Sequence, residues 1–356
     1  MASPLEELKN IRMEKRRKLI SRGILPYPQT SQTRRQLISD VNKKELDQEV
    51  SIAGRIKSIR SHGGSTFLDL IDFSGGIQLF LSEEDLGKDR YDFLSLLDIG
   101  DFVSVTGILF KTKAGELTVS VSNISLLTKS LHPIPSAFYG LKDIEERYRQ
   151  RYLDLIVNPE IRRIFETRTR VIKNLRSILD GEDFIEVETP ILQPIYGGAT
   201  AKPFTTHHKT LDTDLYLRIS DELYLKKLIV GGFEKVYEIG KDFRNEGIDR
   251  QHNPEFTMLE FYWAYSTYEE LMAFTEKMLS EVVKNVVGSY KVSYEGKEID
   301  FTPPWPRITF REALLTSSGL DIDKVKDEEG LLNFIKEKGI RVDLNGVVGF
   351  APLLDI

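Results

Sequence analysis

A chain of 356 residues with 40% hydrophobic and 29% charged side chains has the composition of a globular protein of two or three domains at about 150 residues each. It has no cysteine, which excludes disulfides, thiolate metal sites and a cysteine nucleophile; no run approaches the roughly 18 to 20 apolar residues of a membrane span and the start lacks a secretory pattern, so a cytoplasmic, membrane-free protein is expected. At a formal charge of −6 the mean field repels phosphate, so any nucleic-acid binding must come from local basic surface.

The first expected element is a helix over Leu5 to Ser21, with Leu5, Leu8, Ile11 and Leu19 spaced around it and a basic cluster of Arg12, Lys15, Arg16, Arg17 and Lys18. That cluster reads equally as a solvated face or as a phosphate-contacting one. From Val50 to Leu127 the pattern changes to alternating β-branched and aromatic residues in five runs, cut by Gly63-Gly64, Ser74-Gly75-Gly76 and Ala114-Gly115. A short helical segment near Asp89 to Leu97 separates the third run from the fourth. Five strands with a helix after the third describe an OB-type Greek-key barrel. The pattern alone leaves an oligonucleotide-binding barrel and a purely structural one both open.

His132 to Tyr139, with two prolines, reads as a linker and is followed by the charged helical stretch KDIEERYRQRYLDL. Ile161 to Leu179 carries a helical apolar stripe that Gly181 is expected to cap. The run FIEVETP predicts a strand ending at Pro190. Ser220 is a plausible N-cap for the helix DELYLKKLIVGG, which Gly231-Gly232 ends. A strand over Lys235 to Gly240, a second over Glu255 to Tyr262, an amphipathic helix from Tyr268, a strand pair near Lys291 to Phe301 and helices around Phe310 and Leu331 complete the chain.

No GxxxxGK[ST] loop and no strand-linked GxGxxG occurs, so neither glycine-rich nucleotide cradle is present. The five histidines do not fall at metal-ligand spacing, and His207 and His208, adjacent on a strand, would point to opposite faces in a surface or packing role. No metal site is expected among these residues. The strand Glu255 to Tyr262 puts Phe256, Met258, Glu260 and Tyr262 on one face and Glu255, Thr257, Leu259 and Phe261 on the other. A carboxylate so flanked needs a cation, supplied by the protein or by a ligand. Spacing favours an internal salt bridge with Arg244, with a ligand-binding pocket as the alternative.

These motifs resemble those of bacterial-type class II lysyl-tRNA synthetases over nearly the whole chain. FIEVETPIL with Pro190 is similar to that class's first motif, which forms a dimer interface; FRNEG followed by HNPEFTMLEFYWAY is similar to the second; and YGGATAKPF and SDELYLKKLIVGGFEKVYEIGKDFRNEG are close to the lysine-specific branch. The resemblance implies an α+β chain: a basic helical extension (1–40), a five-stranded OB-fold barrel binding the anticodon (41–130), a linker (131–158) and an antiparallel-sheet catalytic domain (159–356). It implies activation of L-lysine with ATP to lysyl-adenylate, transfer to the 3′ end of tRNA(Lys), and a homodimer.

By the same resemblance Arg244 would bind the ATP α-phosphate and the lysine carboxylate, Glu246 the adenine edge, His252 the outer phosphates, and Phe256 would stack on adenine. Gly198 and Glu222 would meet the α-amino end of lysine, and Glu260 and Tyr262 its side-chain ammonium. Arg60, Phe67, Gln78 and Glu116 match anticodon positions. Gln251 stands where some relatives have a phosphate-binding arginine, with Arg250 beside it as a substitute. The stretch FAPLLDI precedes any glycine-rich third motif and the acidic residues that hold Mg²⁺ in the family, so the expectation is a chain inactive by itself. Two other readings compete. A paralogue that lysylates a protein would lack the barrel, and a non-catalytic RNA-binding protein with a decayed ligase core would not be expected to keep Arg244, Glu246, His252, Phe256 and Glu260.

Overall fold

The computed structural model describes residues 3–29, 35–135, 141–249, 251–342 and 347–354. The chain divides into two units, Met1–Ile164 and Phe165–Ile356.

In the first unit, helix α1 (Pro4–Ser21) starts at a capping box: the Ser3 hydroxyl accepts the Glu6 N–H, and the Glu6 carboxylate accepts the Ser3 N–H. Two of its five clustered basic residues are structural. Arg12 is buried and donates to the carbonyls of Ile99, Ser130 and His132, and the Lys15 ammonium lies 2.7 Å from Asp98. After the short helix α2 (Ile38–Val41), strands β1 (Glu49–His62), β2 (Ser65–Ile71), β3 (Gly76–Ser82), β4 (Phe102–Lys111) and β5 (Leu117–Thr128) close a barrel in the order β1-β2-β3-β5-β4. The helical segment between the third and fourth strands starts earlier than expected, as α3 (Glu83–Leu86) and α4 (Lys88–Phe93). Alternation fills the barrel with Ile52, Ile56, Leu68, Leu70, Leu79, Leu81, Val105, Leu109 and Val119, all at most 1% exposed, and leaves the intervening residues outside.

The predicted linker lies partly outside the described residues. Beyond it, α5 (Ile144–Arg149) and α6 (Arg151–Val157) are tied by the buried Asp154, which accepts from Arg147, Arg151 and Asn158.

Helix α7 (Glu160–Gly181) leads into the second unit's core. Gly181 is its last helical residue rather than its cap: the chain turns through Asp183 at φ 63°, and the Phe184 N–H reaches back to the Leu179 carbonyl at 3.0 Å. Of the strand expected over Phe184 to Pro190, only β6 (Ile185–Glu186) pairs, parallel to Val236 and Tyr237. Strands β7 (Leu192–Gln193), β8 (Thr205–His208) and β9 (Thr213–Leu217) form a second sheet in the order β7-β9-β8. His207 and His208 are exposed there, His207 bonding Asp214 across the strands at 3.0 Å. Helix α8 (Glu222–Val230) precedes the long antiparallel pair β10 (Lys235–Phe243) and β11 (Glu255–Trp263), and sheet order is β11-β10-β6.

One face of β11 is core. Leu259, Phe261 and Trp263 pack with Leu179, Phe184, Tyr237 and, from helix α9 (Tyr268–Val287), Phe274 and Met278. The Phe184 and Phe274 rings stack at 5.5 Å, and Phe261 meets Phe184 edge-on at 5.6 Å. The expected hairpin follows as β12 (Lys291–Tyr294) and β13 (Lys297–Asp300), then α10 (Phe310–Ser318), α11 (Glu328–Lys338) and α12 (Phe350–Leu354) around a smaller cluster of Leu320, Leu331 and Leu353.

Candidate active site and candidate nucleic-acid face

With its other face spent on the core, β11 presents Phe256, Met258, Glu260 and Tyr262 opposite Asp242, Gly240, Glu238 and Val236 of β10. Glu260 is thus flanked across the strands by another carboxylate, and its surroundings are more polar than its own strand suggested. Its Oε1 accepts the Ser220 hydroxyl at 2.6 Å, and the Tyr262 hydroxyl stands 3.4 Å from its Oε2. Ser220 is not the N-cap of α8, which is Asp221, but its Oγ also accepts the Glu222 N–H at 3.1 Å. One hydroxyl therefore fixes both the start of the helix and the carboxylate on the strand. Burial beside Glu260 and Glu222 pushes the Tyr262 phenol up, so it stays a neutral donor.

Gly198, at φ 89°, passes close to the same point: a Cβ there would lie 2.7 Å from Ser220 Oγ and 2.8 Å from Glu222 Cβ. Only glycine combines that backbone conformation with that approach. The structure therefore brings Gly198, Glu222, Glu260 and Tyr262 together around Ser220. Glu222 is paired with Lys226 at 2.6 Å.

Arg244 is not the internal partner of Glu260. It lies just past the end of β10, donates from Nε to the Ile219 carbonyl at 3.4 Å, and its guanidinium sits 5.1 Å from the Phe256 ring centroid. The internal cation is Arg218, which sequence reasoning missed. Arg218 is 1% exposed and stands 2.5 Å from Glu238, 2.9 Å from Asp221 and 3.2 Å from Asp242. Gly240 makes room for it, since a Cβ there would sit 1.9 Å from Arg218 Nη2. Asp221 and Asp242 were missed as well; both lie inside the quoted stretch SDELYLKKLIVGGFEKVYEIGKDFRNEG without an assigned role, and nothing in the strand pattern reveals that both are fully buried.

The arm between β10 and β11 carries the remaining expected residues. Arg244 closes it through its N–H to the Pro254 carbonyl at 2.9 Å. Glu246 is exposed, and the His252 ring bonds Asp249 at 2.7 Å, a contact that holds the Asp249 carboxyl down near 2. The Gln251 N–H also bonds Asp249; Arg250 lies outside the described residues. Among the described residues the close group of three carboxylates is Asp221, Asp242 and Glu260, with oxygens within 4.8 Å of one another. It does not fit a hydrated, phosphate-bridging Mg²⁺, which keeps several waters: Asp221 and Asp242 are 0% exposed and lie against a guanidinium.

On the barrel, Arg60 pairs with Phe67 in register, Phe67 with Phe80, and Gln78 with Thr118. The Phe67 and Phe80 rings are 5.1 Å apart. Arg60 binds Asp69 through two nitrogens at 2.8 and 3.0 Å, and the Gln78 amide donates to Glu116 at 3.2 Å. The four expected residues thus share one outer surface with an aromatic pair at its centre.

Residues 143–341 match the family described as tRNA synthetases class II (D, K and N), and residues 50–127 match the OB-fold nucleic acid binding domain. The chain belongs to the class II tRNA synthetases. Among similar proteins, the lysine–tRNA ligase of Pelotomaculum thermopropionicum is 48% identical over 344 residues, covering 96% of this chain and 68% of that protein. That of Syntrophomonas wolfei is 48% identical over 95% of this chain and 69% of its own length, and that of Clostridium tetani 49% over 94% and 68%. This synthetase chain therefore spans about two thirds of the length of these relatives. No helix among the described residues is long and apolar enough to cross a membrane.

Proposed function

We propose that the chain carries the lysine pocket and much of the ATP site of a lysine–tRNA ligase, with the barrel as its anticodon-binding part. The observation that carries this reading is the convergence of Gly198, Ser220, Glu222, Glu260 and Tyr262 at one end of the sheet face, with Arg244 and Phe256 along the same strands. Ser220 joins two acidic residues, Glu222 at a helix start and Glu260 mid-strand, which gives one carboxylate for each amine of a substrate that carries two. Glu222 and Gly198 take the α-amino end; Glu260, oriented by Ser220 and Tyr262, takes the side-chain ammonium. A neutral side chain would leave Glu260 without a cation, so selectivity follows from the cost of that missing partner.

In this reading Arg244 serves both substrates. The lysine carboxylate oxygen attacks the α-phosphorus of ATP, the bond to pyrophosphate breaks, and a terminal hydroxyl of tRNA(Lys) then attacks the lysyl carbonyl and releases AMP. Arg244 offsets the charge gathering at the phosphorus, while Phe256 holds the guanidinium by its ring face and offers a surface for adenine. Glu246 would read the adenine edge, and His252, held by Asp249, would meet the outer phosphates. When bound with ATP, Mg²⁺ would neutralise phosphate charge; no residue described above is assigned to it. Arg60, Phe67, Gln78 and Glu116 would contact the anticodon, with Phe67 stacking a base. The exposed Ile185, Ile191 and Leu192 of the first motif, between 42% and 49% exposed, with Ile195 just beyond it at 71%, suit a homodimer interface.

The test is ATP–pyrophosphate exchange with a panel of amino acids, run on the protein at the length of its relatives. Lysine-dependent exchange is expected. Exchange driven by aspartate or asparagine instead, or by none, would sink the reading.

A further inference from the structure

Around Glu260 the carboxyl groups outnumber the cations that reach them. Arg218 makes its shortest contact with Glu238, which is also bonded by the Thr189 hydroxyl at 2.7 Å, and turns its Nε to the Lys241 carbonyl at 3.0 Å. It is within ion-pair distance of Asp221 and Asp242 but aligned for a hydrogen bond with neither: all four of their carboxyl oxygens are buried and, while both groups are ionised, meet no hydrogen-bond donor among the described residues. Glu260 adds a fourth carboxylate within 4.8 Å of both.

Among the described residues Arg244 adds only a charge acting on Asp242 without a contact, too little to offset burial. Lys226 is engaged by Glu222, Arg244 lies at the edge over Phe256, and Tyr262 contributes only a neutral hydroxyl. Two ionised carboxylates cannot bond each other, since each only accepts; with a proton on one, its O–H becomes a donor to the other. Full burial pushes both groups up, with repulsion from Asp242 added at Asp221 and from Glu260 at Asp242, Asp221 to about 8 and Asp242 to about 6, and a bond from Asp221 favours the charged form of Asp242.

We infer that Asp221 and Asp242 share one proton while Glu260 is without its cation, and that as positioning residues they couple uptake of a cationic side chain at Glu260 to release of that proton. The inference rests on the reading of Glu260 as the ammonium site. The step balances: an acid–carboxylate pair plus R–NH₃⁺ gives two carboxylates, bound R–NH₃⁺ and one proton to solvent. The incoming ammonium supplies the positive charge that the proton had supplied. Affinity for the amino acid then rises with pH, by up to about tenfold per pH unit while the proton is held in the free state and lost in the bound one.

The experiment is calorimetry of L-lysine binding at pH 7 in buffers of different ionisation enthalpy, which counts protons released, together with the pH dependence of Kd. The parent is expected to release a large fraction of one proton; Asp221→Asn and Asp242→Asn are expected to abolish both the release and the pH slope, a change that a merely structural residue would not cause. Lysine binding without proton release in the parent, or the same release in both variants, overturns the inference and leaves the lysine reading standing. Absence of lysine binding removes the lysine reading, and the coupling with it. Infrared spectroscopy of the ligand-free parent needs no variant to fold: a protonated-carboxyl stretch at pH 7 is expected, and its absence overturns the shared proton.

Discussion

The barrel face and the pocket on the β10–β11 sheet handle polar groups in opposite ways. On the barrel, Arg60 is matched by Asp69 at the surface, and Gln78, buried beneath, by Glu116 and Thr118. In the pocket, Arg218 serves three acidic residues and Glu260 is held only by hydroxyls. A surface whose side chains satisfy one another can exchange those contacts for a ligand at small cost, because water screens the intermediate states. A buried site with surplus negative charge has no such freedom. It has to take up a cation, as a proton or as a substrate.

Four predictions sharpen or break this contrast. Replacing the buried cation, Arg218→Met, should cost about 3–5 kcal/mol of the second unit's stability, because Glu238, Asp221 and Asp242 lose their common partner; denaturant unfolding followed by Trp263 fluorescence measures it, and an unchanged midpoint would show that the carboxylates do not depend on it. Glu260→Gln should weaken lysine by about 2–5 kcal/mol, read as the lysine concentration for half-maximal pyrophosphate exchange. On the barrel, Phe67→Ala should reduce tRNA binding by about 1–3 kcal/mol, and filter binding against an unrelated tRNA would reveal whether the loss is specific.

The fourth prediction concerns pH. Asp221 and Asp242 bind protons more tightly folded than unfolded, from an ordinary value of 3.8 to about 8 and about 6. Their stabilising contribution is therefore complete below about pH 4 and is lost as pH rises toward 8, at most about 1.4 kcal/mol per pH unit for each proton held. Asp221→Asn should flatten that fall, so the difference in Tm between variant and parent should grow from pH 6 to pH 9. A constant difference would mean that Asp221 is not protonated in the folded state.

The same contrast explains what the sequence disclosed. The barrel was legible because period-2 alternation and turn glycines act locally, and the two faces of β11 followed from the same rule: Leu259 and Phe261 went to the core and Glu260 to the pocket. Glu260's need for a cation could also be argued from its neighbours. Its surroundings could not, because Arg218 and Asp221, three residues apart before α8, reach Asp242 of β10 and Glu260 of β11 only through the tertiary fold. Spacing pointed to Arg244 as the internal partner; the guanidinium that faces the acidic group belongs to the residue after β9. Gly181 misled for a local reason, since the left-handed turn was displaced to Asp183, where an aspartate tolerates it.

The central claim is that Glu260 awaits the ammonium of the substrate, and it is tested most directly by comparing lysine with norleucine, which has nearly the same shape and no side-chain charge. In pyrophosphate exchange by the protein at the length of its relatives, lysine should drive the reaction and norleucine should neither drive it nor compete at concentrations many times higher. Comparable exchange with both would show that the pocket reads length alone and that Glu260 has some other partner.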